Sequence, residues 1–253
     1  MWIDIHSHLF DLTRDQLVQT IRQAGSAGID AIINNAVSVQ TAHTVVQQST
    51  IHPSLFAAAG ISPFDVEDQP HDWYQVLEHY CKTKKIIAVG EIGLDSSNPR
   101  YPSLQKQEPF FKKQLTLATE YGLPTLVHSR GMEYQVCRIC REQQAKKVVF
   151  HCFTGDEKSL NYLLECGFYV SISGIVTYKN SHLPDIVPKI PLDRLFIETD
   201  SPYLAPIPKR GTTNQPAYVQ YTAKHISKLL EVSEEKLQTQ LRYNFKEVFG
   251  ADL

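Results

Sequence analysis

Eight short apolar runs, rich in β-branched residues, alternate along this chain with longer segments of helical period. No other feature narrows the fold as far, because regular strand–helix alternation lays successive strands parallel in one sheet. The strand-like runs are WIDIH (2–6), DAIINNA (30–36), LFAAAGI (55–61), IIAVGEI (86–92), PTLVHS (124–129), KVVFHCF (147–153), FYVSISG (168–174) and LFIETD (195–200). Between them lie amphipathic stretches such as RDQLVQTIRQAG (14–25) and LQKQEPFFKKQLTLATEYG (104–122), and two more close the chain. Gly25, Gly122 and Gly167 stand where helices should end. Eight such units in 253 residues predict one (β/α)8 TIM barrel, a single domain over residues 1–253. A doubly wound open sheet is the competing arrangement. Its dinucleotide-binding form needs G-x-G-x-x-G after an early strand, and neither of the first two runs carries it.

Composition excludes several function classes. A hydrophobic content of 42% with 21% charged residues suits a globular core. The formal net charge of −2 argues against a broad basic face gripping duplex DNA, while leaving room for a nucleic acid reached through a small cleft. No apolar run approaches the ~20 residues of a membrane span. No secretory apolar segment precedes the first strand. Cys81, Cys137, Cys140, Cys152 and Cys166 form an odd, scattered set, so a reducing cytoplasm is the expected setting. Cys137-x-x-Cys140 reads as two core-facing helix thiols, since no second pair follows to complete a zinc or redox site.

In a barrel of this kind, chemistry belongs at the C-terminal strand ends. Asp4, His6 and His8 alternate onto one strand face. The later ends offer Asn34 and Asn35, Ser62, Glu91, His128, His151 and Asp200. Each has an ordinary structural reading alone: a satisfied core histidine, a buried acid, a helix cap. Convergence on one rim changes that reading to a metal site. Four imidazoles and two carboxylates exceed the three protein ligands of a single catalytic zinc and suit two ions ~3.5–4 Å apart. His6, His8, Glu91 and Asp200 are assigned to one ion; Glu91, His128 and His151 are assigned to the other, with Glu91 bridging. Imidazole-rich donors favour Zn, Mn, Fe or Co, and availability or geometry admits Mg. Asp200 is also expected to act as general base. Glu198 reads equally as a carboxylate supporting the ligands or as a buried structural acid. Arg130 and the rim-loop pair Lys209 and Arg210 are candidate phosphate contacts. Cys152 should alternate to the face opposite His151 and is not expected to act as a nucleophile.

The runs DIHSHLFD (4–11), VGEIGLD (89–95), LPTLVHSR (123–130), HCFTG (151–155) and FIETDSPYLAP (196–206), with RGTTNQP (210–216) and NFKEVF (244–249), resemble the TatD-type metal-dependent deoxyribonucleases. These are a branch of the amidohydrolase-like barrels, and the resemblance spans the chain. It implies a TIM barrel, a two-metal hydrolytic centre on the same six positions, and phosphodiesterase activity on DNA. Glu91 takes the bridging place that a carboxylated lysine holds in other branches. Two departures bear on substrate. The family pattern G-x-H-P appears here as Gly60-Ile61-Ser62-Pro63, and Ser96 replaces the tyrosine common after G-L-D. Ser62 is therefore a candidate substrate contact weaker than the histidine it replaces. A deep barrel mouth admits a terminus more readily than a duplex interior, so DNA ends or single strands are the expected substrate. The alternatives are an ester, amide or lactone hydrolase, such as a D-aminoacyl-tRNA deacylase, and a non-catalytic metal-binding barrel. The intact ligand set argues against the last. No membrane association and no obligate protein partner are expected.

Overall fold

The computed structural model describes residues 1–251 and residue 253. Its strands are β1 (Trp2–Ser7), β2 (Ile29–Asn35), β3 (Leu55–Ala59), β4 (Ala88–Gly93), β5 (Thr125–His128), β6 (Val148–Phe150), β7 (Tyr169–Ile172) and β8 (Leu195–Ile197). They pair in chain order, each parallel to the next. Sequential order is the (β/α)8 barrel and not the doubly wound sheet, whose strand order reverses at a switch point. The barrel is nearly closed: Ser7 bridges to Ser201 just beyond β8. Ile3, Ile5, Ile33, Val127, Val149 and Ile197 are fully buried, as expected for strands that face side chains on one side and helices on the other.

The outer ring holds α1 (Arg14–Ser26), α2 (Val39–Gln48), α3 (Trp73–Lys82), α4 (Leu104–Tyr121), α5 (Glu133–Glu142), α6 (Glu157–Glu165), the short α7 (Leu183–Ile186) and α8 (Val219–Leu229). Thr13 and Ser38 open α1 and α2 with reciprocal capping boxes, which satisfy otherwise orphaned amides. The last helix, α9 (Glu234–Phe249), packs against two strands: Phe245 on Phe56 of β3, and Phe249 on Phe196 of β8. Cys137 and Cys140 are buried on α5, and all five cysteines are free. Among the described residues, no helix is long and apolar enough to cross a membrane.

Two local expectations are corrected. Gly25 lies inside α1; the left-handed turn after this helix falls on Gly28, at φ 79°. Strands β6 and β8 are also shorter than their apolar runs, so His151 and Asp200 stand on the loops that leave them. Those loops form the mouth.

Gly93 shows how tightly β4 and β5 approach beneath that mouth. Its φ is 143°, and a Cβ there would lie 1.9 Å from the carbonyl oxygen of His128. That carbonyl also accepts the Leu94 amide at 3.1 Å. We predict that Gly93→Ala displaces the end of β5, lowering stability by about 1–3 kcal/mol or more. It should also lower metal content, because His128 moves with its backbone. Denaturant midpoints and elemental analysis check both effects; unchanged values would show that the strands separate without cost.

Candidate metal centre

The centre is assembled at the seam where the barrel closes. The Asp200 amide donates to the His6 carbonyl at 2.9 Å, and the His8 amide donates to the Ser201 carbonyl at 2.7 Å. Beneath them, the Asp4 carboxylate accepts the Thr199 amide at 2.8 Å and its hydroxyl at 2.6 Å. Asp4 is therefore engaged mainly with the seam, and its Oδ1 also accepts the His6 amide at 3.4 Å. Burial pushes its carboxyl up to about 8, against the lowering pull of the Thr199 hydrogen bonds. Asp200 has φ 57° and Cys152 has φ 45°, a left-handed backbone costing about 1–3 kcal/mol in a non-glycine residue. At Asp200 the seam hydrogen bonds hold it.

Glu91 stands at the middle of the cluster, 3% exposed. Its Oε1 lies 2.9 Å from His128 Nδ1 and 3.2 Å from His151 Nε2. Its Oε2 lies 3.4 Å from His8 Nε2 and 3.5 Å from His6 Nε2. One carboxylate thus faces two imidazole pairs, one oxygen to each. Asp200 Oδ1 joins the second pair, 3.5 Å from His8 Nε2 and 4.0 Å from His6 Nε2. Donor atoms of His6, His8 and Glu91, of Glu91, His128 and His151, and of His6, His151 and Asp200 form three sets, each within 4.8 Å.

The outer ring nitrogens decide which inner ones are free to ligate. His8 Nδ1 is 3.0 Å from the Asn35 carbonyl, His128 Nε2 is 2.7 Å from Asp95 Oδ2, and His151 Nδ1 is 3.4 Å from Glu198 Oε1. The Asn35 carbonyl and Asp95 each draw an N–H outward and leave a lone pair facing the cluster, while Glu198 lies within ion-pair distance on the outer side of His151. Inward-facing nitrogens then crowd one another: His6 Nε2 and His8 Nε2 are 3.2 Å apart, and His128 Nδ1 and His151 Nε2 are 3.1 Å apart. Lone pairs at such distances repel unless a proton or a cation lies between them. The donor set therefore fits divalent ions.

Titration follows the same geometry. Burial pushes the Glu91 carboxyl up, but His151, His128 and His6 outweigh it and hold it well below the carboxylate range. Burial lowers His151, yet Glu91 and Glu198 raise it well above the usual histidine value. His128 is raised against burial by Asp95 and Glu91; His8 is raised by Asp200 and Glu91. His6 is lowered, by burial and by His151. Asp200 is lowered by His8 and His6 despite burial.

The structure gathers His6, His8, Glu91, His128, His151 and Asp200 on one rim, with Arg130 beside them. A cavity of about 40 Å³ is lined by His128, Arg130, His151, Cys152, Thr154 and Asp200. Cys152 corrects the alternation argument: with a left-handed backbone it lines this cavity together with His151, and its thiol lies 3.2 Å from Ser173 Oγ. Burial, with Asp200 and Glu198 nearby, raises the thiol well above its ordinary value, so it remains a neutral, poor nucleophile. Ser62 stands apart. It is fully buried, its hydroxyl donates to Asp65 Oδ2 at 2.7 Å, and it accepts the Phe64 amide at 3.2 Å. Arg210 lies over the Tyr178 ring, 3.9 Å from its centroid, and Lys209 over Tyr218. Asp95 is the residue missed; its one signal was its place in the VGEIGLD run that also holds Glu91.

Comparison with known proteins agrees with this picture. The TatD related DNase family model matches residues 3–250. A Bacillus subtilis protein named uncharacterized metal-dependent hydrolase YabD is 33% identical over 253 residues, spanning 98% of this chain and 99% of that protein. A Pantoea ananatis protein named 3′-5′ ssDNA/RNA exonuclease TatD is 28% identical over 256 residues, spanning 98% and 97% of the two chains. The crystal structure of YJJV, a TatD homolog from Escherichia coli, superimposes with a TM-score of 0.93 at 25% identity, covering 99% of this chain and 98% of that one.

Two outcomes follow for metal uptake. Protons held on His8, His128 and His151 must leave when a divalent ion enters. Their raised values place this competition above the ordinary histidine value of 6.5. Affinity should therefore rise with pH through and beyond neutrality, with protons released on binding; calorimetry in buffers of different ionisation enthalpy measures them. PH-independent affinity without proton release would contradict the assignment. Separately, Glu198→Gln should weaken metal binding about 10–100-fold by loosening His151. Competition with a chelator of known affinity reads this directly.

Proposed function

The chain belongs to the TatD related DNase family and is a metal-dependent hydrolase, and on that premise we propose that it is an exonuclease acting on single-stranded DNA ends through a two-metal centre. The observation that carries the reading is the divided Glu91 carboxylate, one oxygen toward His128 and His151 and the other toward His6 and His8. A bridging carboxylate between two sites needs that division. In this reading His6, His8, Glu91 and Asp200 would hold one ion, and Glu91, His128 and His151 would hold the other. Divalent ions held there would supply a water of lowered pKa and positive charge against the phosphate. Donor softness favours Zn, Mn, Fe or Co, with Mg admitted.

The chain's own groups do the rest. Asp200, ionised and at the edge of the cluster, accepts the proton released by the attacking water. Asn35, Asp95 and Glu198 hold the imidazoles in orientation, so no reorganisation is needed during the reaction. Arg130 is exposed on the cavity wall and pairs with a non-bridging phosphate oxygen. The relative from Pantoea ananatis, named for single-strand exonuclease activity, supports a terminus as substrate. So does the net charge of −2, which gives no broad duplex-gripping face. The free thiols are in keeping with a reducing cytoplasm.

The test uses protein reconstituted with Mn, Zn or Mg on end-labelled linear single strands, blunt duplexes, circular single strands, and a panel of esters, amides and lactones. Linear single strands should be shortened from one end, with circles spared. Glu91→Gln should lose at least about 10²–10³-fold in rate together with bound metal, because an amide cannot offer an anionic oxygen to each side. Hydrolysis confined to the ester panel would move the protein to the deacylase class. An active, fully metallated Glu91→Gln protein would remove the two-metal reading.

A further inference from the structure

Tyr203 is out of keeping with the aromatic side chains around it. It is 62% exposed, yet it sits three residues after Asp200 and its backbone is firmly held. Its amide donates to the Asp200 carbonyl at 2.8 Å, closing a tight turn over Ser201 and Pro202. Its carbonyl accepts from Asn214 Nδ2 at 2.5 Å. Asn214 is itself buried. The same Nδ2 donates to the Thr199 carbonyl at 2.8 Å, and the Asn214 amide donates to Pro202 at 3.0 Å. A large ring is thus left in water on a rigid mount beside the metal cluster.

Its surroundings show which way it works. Among the described residues its recorded aromatic neighbour is His8, with centroids 6.3 Å apart and planes inclined at 60°. Phe64, on the His128 side, is occupied instead: it packs on Tyr101 at 4.5 Å and meets His128 edge-on at 5.1 Å. Phe10 meets His8 at 5.8 Å and is half-buried. Tyr203 alone of these combines an open ring with a fixed backbone. An exposed aromatic beside a phosphate-binding groove is what single-strand binding uses, since every base has a face on which to stack.

We propose that Tyr203 is a stacking platform for the base of the nucleotide whose phosphate lies at the Glu91 cluster. This rests on the exonuclease reading and deepens it to a substrate class: unpaired termini that still carry bases. A paired base stays in its helix stack and does not reach the ring. An abasic terminus offers the ring nothing to stack on.

The experiment compares two linear single strands, one ordinary and one carrying stable abasic residues at the last two positions of each end. Rates of end removal are measured for the metal-loaded wild type, Tyr203→Ala and Tyr203→Trp, with metal content determined for each. The wild type should degrade the ordinary strand about 10–100-fold faster than the abasic one. Tyr203→Ala should lose most of that factor on the ordinary strand and less than about threefold on the abasic strand. Tyr203→Trp should restore the ordinary-strand rate. Equal wild-type rates on the two strands would overturn the platform alone. An equal loss on both strands in Tyr203→Ala would overturn it too, making the residue a structural support. No degradation of either strand by the wild type would overturn the exonuclease reading and the platform with it.

Discussion

A single carboxylate buried among four imidazoles governs the upper half of this barrel. Glu91 has almost no contact with water, and an ion so placed costs several kcal/mol unless partners surround it. His6, His8, His128 and His151 are those partners. Their mutual crowding in turn needs positive charge between them. Neither side of the arrangement is tolerable alone, so the residues that orient the rings matter as much as the rings. Asn35 acts through a main-chain carbonyl, Asp95 and Glu198 through side chains. The first two draw N–H groups away from the centre, and Glu198 sets a carboxyl behind His151.

The seam between β1 and residues 199–201 is the second constraint. It closes the barrel not by a regular strand pair but by the Asp4 carboxylate, two backbone hydrogen bonds and a left-handed Asp200. Irregularity here is useful. A straight continuation of β8 would carry Asp200 past the rim, whereas the turned backbone returns its carboxylate toward His8 and His6.

Much of this was legible in the sequence, for an identifiable reason. Strand runs betray themselves by β-branched composition, and barrel geometry then sends their last polar residues to one rim. That logic reached His6, His8, Glu91, His128, His151 and Asp200 without coordinates. It did not reach features set by single backbone torsions. Cys152 was placed on the far face because alternation assumes an extended chain, and φ 45° breaks it. Gly25 was read as a helix end one turn too early because spacing alone does not distinguish it from Gly28. Ser62 was legible as a strand-end residue, but not the local turn that engages its hydroxyl with Asp65. The Asn35 carbonyl was beyond reach altogether, since every residue has one. Tyr203 was visible as a letter, while its exposure was not.

The Asp4–Thr199 contact joins positions 195 apart in the chain. Its partners therefore emerge from the ribosome at nearly opposite ends of synthesis. His6 and His8 appear first, and Asp200, whose carboxylate lies beside them, is the last of the six clustered residues to be made. A chain halted anywhere before Thr199 has no seam and no Asp200, so it has no finished centre. The six clustered residues can therefore come together only once the chain has been made through Asp200.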